Sequence, residues 1–318
     1  MVPKVLITGG TGLVGKAIEF INDTEYDYIY LSSKDGDLCN IENVRNIFKK
    51  HDPIYGVIHL AANVGGLFKN MNKPVEMIND NLLINTNILQ VSHEFDINHV
   101  ICALSTCIFP DNLNNFEHIL TADDLHKGPP HFSNEGYAYA KRLLEVQCRA
   151  YQKEFNRRYF CFIPTNIYGP FDNFNLENSH VIPALIHKCY NAKKNKTDFI
   201  IAGNGSPLRQ FIYSQDLAKL ILWAFKNYND INNPIIMIPP HNECSILDIA
   251  MIIAETMNLP LEYIKFDTTK ANGQFKKTAD TTSLAKLNHN IDFTDIKDGL
   301  KTTIEWFCDY YDSDIIRL

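Results

Sequence analysis

No apolar run in this 318-residue chain approaches the ~20 residues needed to cross a bilayer. A membrane span is therefore not expected. The first residues run straight into an apolar, β-branched segment without a cleavable leader, which makes the cytosol the expected compartment. Cationic charge is also scarce: 30 Lys and Arg stand against 37 Asp and Glu, a net charge of -7. An extended basic face for nucleic acid or an anionic membrane is thereby excluded, and an anionic ligand would have to be met by a few local cations. Eight cysteines are scattered at 39, 102, 107, 148, 161, 189, 244 and 308, with no Cys-x-x-Cys and no histidine at metal-ligand spacing. They read as reduced thiols, and no metal site is expected. There is no internal repeat. What is present, 45% hydrophobic and 21% charged residues, suffices for the core of one large or two modest domains.

Tyr137-Ala138-Tyr139-Ala140-Lys141 is the first chemical signal. A tyrosine and a lysine four residues apart share one face of a helix. The ammonium is expected to favour the phenolate and lower the pKa of Tyr137, and it can also hold a ribose hydroxyl. Far upstream, Val5-Leu6-Ile7-Thr8 breaks into Gly9-Gly10-Thr11-Gly12-Leu13-Val14-Gly15 and resumes at helical spacing. That is strand, tight turn, helix. The glycines at 9, 12 and 15 allow positive φ and close approach of a pyrophosphate, and a helix N-terminus offers it free N–H groups. The context required for a dinucleotide site is in place.

The nucleotide's identity depends on the end of the second strand, Tyr28-Ile29-Tyr30-Leu31, which runs into Ser32-Ser33-Lys34. An acid there would bond the ribose 2′-OH of NAD, whereas Ser33 and Lys34 suit the 2′-phosphate of NADP. NADP is expected, with Asp35 as the competing acid if the strand runs further. Asp37-Leu38 would lie under the adenine, unless Asp37 is only a solvated turn residue.

Further short apolar runs, Val57-Ile58-His59-Leu60, Val100-Ile101-Cys102-Ala103-Leu104 and Phe160-Cys161-Phe162-Ile163, read as buried parallel strands separated by helices. The expected fold class is α/β, a doubly wound parallel sheet with a smaller C-terminal α+β substrate domain. The first domain is expected over 1–165 with 206–230 returning to it, and the second over 166–205 and 231–318. Asn166-Ile167-Tyr168-Gly169-Pro170 reads as a turn, Ser214 as the N-cap of a helix, and 191–196 and 227–233 as solvated loops. Helices are also expected over 137–155, 246–257 and 300–311.

The strand ending at Leu104 delivers Ser105-Thr106-Cys107 to the carboxyl edge, where ligands bind in such sheets. Ser105 and Tyr137 can both donate to one carbonyl oxygen, stabilising charge on it during hydride addition or loss of a neighbouring proton. Ser105, Tyr137, Lys141 and the glycine turn together resemble the short-chain dehydrogenase/reductase superfamily. Within it, His59–Leu67, Leu104–Pro110, Gly128-Pro129-Pro130-His131, Ile163-Pro164-Thr165-Asn166, Arg209–Tyr213 and Gly273–Thr278 resemble the GDP-L-fucose synthase family, essentially over the whole chain.

The resemblance implies epimerisation at C3 and C5 of a GDP-linked 4-keto-6-deoxymannose, then reduction at C4 with NADPH. It gives Cys107 the role of base and His180 that of acid; inversion requires a proton taken from one face and returned on the other, so two groups must flank the ring. By themselves, Cys107 would read as a buried thiol and His180 as an ordinary histidine at a helix start. Ser105 without Tyr137 would read as a loop-capping serine.

The same resemblance implies a cofactor lining of Gly9, Gly10, Thr11, Gly12, Leu13, Val14, Gly15, Ser33, Lys34, Asp37, Leu38, Ala61, Ala62, Leu104, Pro164 and Asn166, together with Tyr137, Lys141 and His180. For the sugar nucleotide it points to Asn166, Lys188 and Arg209, and Lys277 is a further cation suited to the diphosphate. Two departures bear on the base: the family commonly has tryptophan where this chain has Ala202, and aspartate where it has Asn272. The resemblance also implies a homodimer through sheet-flanking helices, with Leu143, Leu144 and Val146 of the Tyr137 helix available, although core packing would use the same residues. Competing readings are an epimerase or reductase of another nucleotide 4-keto sugar, and a catalytically silent cofactor-sensing module. Against the latter, Tyr137, Lys141 and Cys107 are all retained.

Overall fold

The structure, a computed structural model, describes residues 2–113, 118–230, 232–240, 243–270, 276–285 and 292–318. Asn272 and Gly273–Phe275 of the sequence motifs lie outside them. The first half alternates strands with helices, two of them between β3 and β4: β1 (Lys4–Thr8), α1 (Leu13–Ile21), β2 (Asp27–Tyr30), α2 (Ile41–His51), β3 (Ile54–His59), α3 (Leu67–Asn72), α4 (Pro74–Glu94), β4 (His99–Ala103), α5 (Glu135–Phe155) and β5 (Arg158–Pro164). The chain continues with β6 (Asn166–Tyr168), α6 (Val181–Asn195), β7 (Phe199–Ala202), β8 (Leu208–Tyr213), α7 (Ser214–Asn227), β9 (Ile235–Ile238), β10 (Glu243–Ser245), α8 (Ile246–Thr256), β11 (Ile264–Asp267), α9 (Thr282–Ala285) and α10 (Ile296–Tyr310).

Six strands form one parallel sheet in the order β2-β1-β3-β4-β5-β9. Their apolar runs are continuous because both faces are covered. Val5, Ile7, Ile58, Ile101 and Phe162 face α1 and α7. Leu6, Val57, Val100 and Cys161 face the layer that includes Phe48 of α2, Ile88 of α4 and Leu144 of α5. The order reverses between β1 and β3, the point where such sheets leave a crevice at their carboxyl edge. A separate apolar cluster joins α6, α8 and α10 to β7 and β8, with Leu185, Phe199, Ile253 and Phe307 at its centre.

Several expectations about the second half are corrected. Asn166–Tyr168 is a strand and not a turn, because it pairs in parallel with β8. β8, expected to return with 206–230 to the main sheet, forms a three-stranded sheet with β6 and β10; only α7 of that segment covers the large sheet. Conversely β9, from the stretch expected in the second lobe, closes the edge of the main sheet beside β5. Ser214 does not cap α7 from outside: it is the buried first helical residue, and Tyr213 stands at the N-cap. Residues 191–195 are the last turns of α6 and not a loop, since buried Ile186, Cys189 and Ala192 carry the helical period through them. Among the described residues, no helix is long and apolar enough to cross a membrane.

Candidate active site

The glycine turn is built by steric necessity. Gly9 has φ +69, and a Cβ there would lie 2.9 Å from the amide nitrogen of Ala61. At Gly15 a Cβ would meet the carbonyl oxygen of Gly10 at 2.4 Å, so α1 can sit this close to the turn only with hydrogen at that position. Gly12 differs: a Cβ would meet nothing nearer than Gly9 O at 3.3 Å, and Gly12 caps α1 without a side-chain hydrogen bond. The free space over Gly12 and the uncapped first turn fit a pyrophosphate.

Below the turn, the Thr8 hydroxyl accepts the N–H groups of Leu60 and Ala61 and shares a 2.7 Å hydrogen bond with His59 Nδ1. His59 Nε2 pairs with Asn85 Oδ1 at 3.0 Å. Burial, together with the charge of Lys141, drives the imidazole down to a pKa of about 3, so it is neutral. This bracket locks β1, β3 and α4 together under the crevice. Sequence reasoning placed His59 in a strand and in a family motif without a bonding role, and passed over Asn85; the available signal was polar residues inside buried apolar runs.

At the end of β2, the Asp35 carboxylate accepts from Ser32 N–H at 2.8 Å and from the Ser32 hydroxyl at 2.9 Å. The backbone bond, aided by the hydroxyl, lowers its pKa. Asp35 is thus occupied in its own turn, while Ser33 and Lys34 are exposed. Asp37 accepts the N–H of Cys39 at 2.9 Å, the turn role that its sequence left open.

The carboxyl edge of β4 carries the reactive groups. Ser105 caps a short 3₁₀ turn, its hydroxyl accepting the N–H of Cys107 at 3.4 Å. Lys141, on the buried face of α5, donates from Nζ to Ala103 O at 2.8 Å and lies 5.9 Å from the centre of the Tyr137 ring. Burial lowers its pKa to about 8. The expectation that the ammonium lowers the Tyr137 pKa is not met. Burial pushes the phenol well up, and the neighbouring Cys107 adds to the rise, so Tyr137 keeps its proton at neutral pH.

Cys107 shows the same contest. Burial raises its thiol, against the lowering effects of Lys277, the Ser105 hydroxyl and Lys141. Lys277 is itself lowered to about 8, chiefly by burial, with Cys107 opposing the fall and Arg209 adding to it. Ser105, Cys107, Tyr137, Lys141, Lys277 and Arg209 therefore form one half-buried to buried cluster. Such a cluster can polarise a carbonyl, hold an anion and exchange protons with a carbon beside that carbonyl.

His180 is not bonded to this cluster. It caps α6 from the rim of a groove of about 180 Å³, which it lines together with Lys188 and Ala202. Its imidazole is open to solvent on the groove side, yet the surrounding protein desolvates it and lowers its pKa. Burial also lowers Lys188, with Asp267 opposing. Asn166 donates from Nδ2 to Gln210 O at 3.0 Å, at the floor between the two apolar clusters. Among the described residues there is no group of three or more His, Cys, Asp or Glu side chains able to hold a metal.

The sequence model of the NAD dependent epimerase/dehydratase family matches residues 5–238. GDP-L-fucose synthase of Dictyostelium discoideum is 46% identical over 97% of this chain and 96% of its own. Probable GDP-L-fucose synthase of Drosophila melanogaster is 42% identical over 97% of this chain and 98% of its own. The chain belongs to the NAD dependent epimerase/dehydratase family, in its GDP-L-fucose synthase branch. A crystal structure of a GDP-L-fucose synthetase from Naegleria fowleri bound to NADP superposes with a TM-score of 0.90 at 40% identity, covering 99% of this chain and 96% of that one. The GDP-L-fucose synthase branch is therefore matched in fold as well as in sequence, over nearly the whole chain. Ala202 lines the groove of His180 and Lys188 and offers no ring to a base there.

Proposed function

We propose that the chain is an NADPH-dependent enzyme that inverts C3 and C5 of GDP-4-keto-6-deoxy-D-mannose and reduces the C4 ketone, giving GDP-L-fucose. The observation that carries this reading is Cys107. Ketone reduction alone needs Ser105, Tyr137 and Lys141, whereas a thiol in the same cluster, flanked by two ammonium groups, is what abstraction of a proton beside the ketone requires. Ser105 and Tyr137 donate to the C4 oxygen and hold the charge that develops there. Cys107 takes the proton from C3 and then C5, and His180 returns one to the opposite face. NADPH, when bound, supplies the hydride to C4. Tyr137 gives its proton to the resulting alkoxide, and Lys141 holds the ribose. Lys188, Arg209 and Lys277 meet the diphosphate, and Asn166 the sugar. Incubation with GDP-4-keto-6-deoxy-mannose and NADPH tests the whole reading through the stereochemistry of the product. A product reduced at C4 but unchanged at C3 and C5 would leave only a 4-ketoreductase.

The cofactor preference follows from exposed Ser33 and Lys34 and from the self-engaged Asp35. Lys34→Glu is expected to weaken NADPH more than NADH, measured as the ratio of the two KM values. Equal or better turnover with NADH in the unmutated protein would contradict the assignment.

A pH profile gives a second check. The resting cleft has its thiol raised and its imidazole lowered, so Cys107 starts protonated and His180 neutral. The productive pair, thiolate with imidazolium, is then a minority at every pH. Its share rises with pH until His180 loses its proton and then stays level, the level region starting below the ordinary imidazole range and ending near pH 8, where Lys277 and Lys141, each held at about 8, lose the charge that supports the thiolate. The kcat/KM for deuterium entry at C3 and C5 should show that broad plateau; a single sharp optimum inside this window would mean that different groups titrate.

A homodimer fits α4 and α5, which expose Leu83, Tyr139, Leu143 and Val146 on one layer. Leu144 is fully buried in the core and takes no part. Sedimentation of the wild type and of Leu143→Glu tests this surface: the variant should sediment as the smaller species.

A further inference from the structure

Residues 276–280 run beside the reactive cluster as a strap, with Lys277 in electrostatic contact with Cys107 and Arg209. One edge is stitched to the segment after Cys107: Leu120 bridges Ala279 in parallel, Leu120 N–H donates to Thr278 O at 2.8 Å, and Asp280 N–H donates to Leu120 O at 2.8 Å. The other edge is held by two side chains from neighbouring strands. Gln210 of β8, 1% exposed, accepts from Ala279 N–H through Oε1 at 2.8 Å and donates from Nε2 to Pro240 O at 3.0 Å and to Ala279 O at 3.4 Å. Glu243, its cross-strand partner in β10, accepts from the Thr278 hydroxyl and pairs with the Lys276 ammonium at 3.4 Å.

Side chains alternate along an extended chain. With those of 276 and 278 turned to Glu243, that of Lys277 turns the other way, toward Cys107. The uncharged amide of Gln210 both accepts from and donates to the strap at this buried site without leaving a charge unpaired.

We propose that Gln210 and Glu243 form a latch that holds the strap so that the Lys277 ammonium stands against the Cys107 thiol, making both of them positioning residues for the thiolate. The proposal rests on reading Cys107 as the proton-transferring group. Cys107 is faced also by Lys141, Arg142 and Tyr137 from α5 and by the Ser105 hydroxyl, and Lys277 by Arg209 of β8 and by Asp111. Those groups remain when the latch is cut; Glu243→Ala also removes a carboxylate that faces Arg209, which by itself would move the thiol's midpoint down, so an upward shift reports the lost placement of Lys277.

The test is the pH dependence of Cys107 alkylation by iodoacetamide in the full chain, read on the Cys107 peptide by mass spectrometry. The midpoint reports the thiol's pKa and the high-pH plateau reports access to it. Glu243→Ala and Gln210→Met should each move the midpoint up by roughly half to one pH unit, the direction given by Lys277→Met. Glu243→Ala combined with Lys277→Met should move it no further than Lys277→Met alone. A midpoint unchanged in folded Glu243→Ala, or a shift that adds in full to that of Lys277→Met, overturns the latch. Should Gln210→Met fail to fold, Glu243→Ala decides. Deuterium exchange plays no part in this readout: a shifted midpoint in a chain that exchanges nothing keeps the latch and removes the epimerase reading.

Discussion

Tyr137→Phe is expected to cut ketone reduction by roughly 10² or more, the usual scale for a positioned acid, with NADPH binding and the fold intact. Only a hydroxyl is lost, from a half-buried ring whose backbone lies inside α5. Burial keeps the phenol protonated across the neutral range, so the wild type begins each turnover with the proton in hand. Lys141 is engaged with Ala103 O and stays beneath the ring in the variant. Single-turnover decay of NADPH absorbance with the ketone substrate measures the effect. A near-normal rate would show that another group supplies the proton, and Ser105 would be the first to test.

Cys107→Ser is expected to stop solvent deuterium entering C3 and C5, a loss on the order of 10² to 10⁴, while NADPH still binds. A serine hydroxyl fills nearly the same space but cannot ionise in this range, so the flanking cations have no anion to stabilise. His180→Asn should act differently. Protons would still leave through Cys107 but return poorly to the far face, and deuterium would appear mainly without inversion. Mass and proton spectra of recovered substrate separate the two outcomes. Normal exchange in the Cys107 variant would show that another group takes the proton, and the thiol would lose its role as base.

Legibility in the sequence followed the range over which each signal acts. Strands β1, β3, β4 and β5 could be read because burial on both faces makes them continuous apolar runs, and the glycine turn because positive φ at Gly9 and close packing at Gly15 are local demands. The three-residue strands β6 and β10 carry no such run. Their pairing with β8 is set by partners distant in sequence, so Asn166–Tyr168 looked like a turn. Proton affinities were misjudged for the same reason. The four-residue spacing of Tyr137 and Lys141 is visible in sequence, but the desolvation that outweighs their attraction is a property of the packed cleft. The C-terminal turns of α6 were within reach, since Leu185, Cys189 and Ala192 keep helical spacing among the lysines and asparagines.

The sheet's sixth strand and one of its covering helices come from far along the chain, and this matters while the chain is being made. When the ribosome has delivered β5, that strand is a bare edge with unpaired N–H and C=O groups, and Val5, Ile58, Ile101 and Phe162 are covered on their side by α1 alone. Such an edge recruits other chains. Relief arrives only with α7 and then β9, some 70 residues later by the interval from Pro164 to Ile235. A nascent chain paused in that interval is the species that chaperones must shield, and a message cut short there would yield an aggregate and not a working half-enzyme.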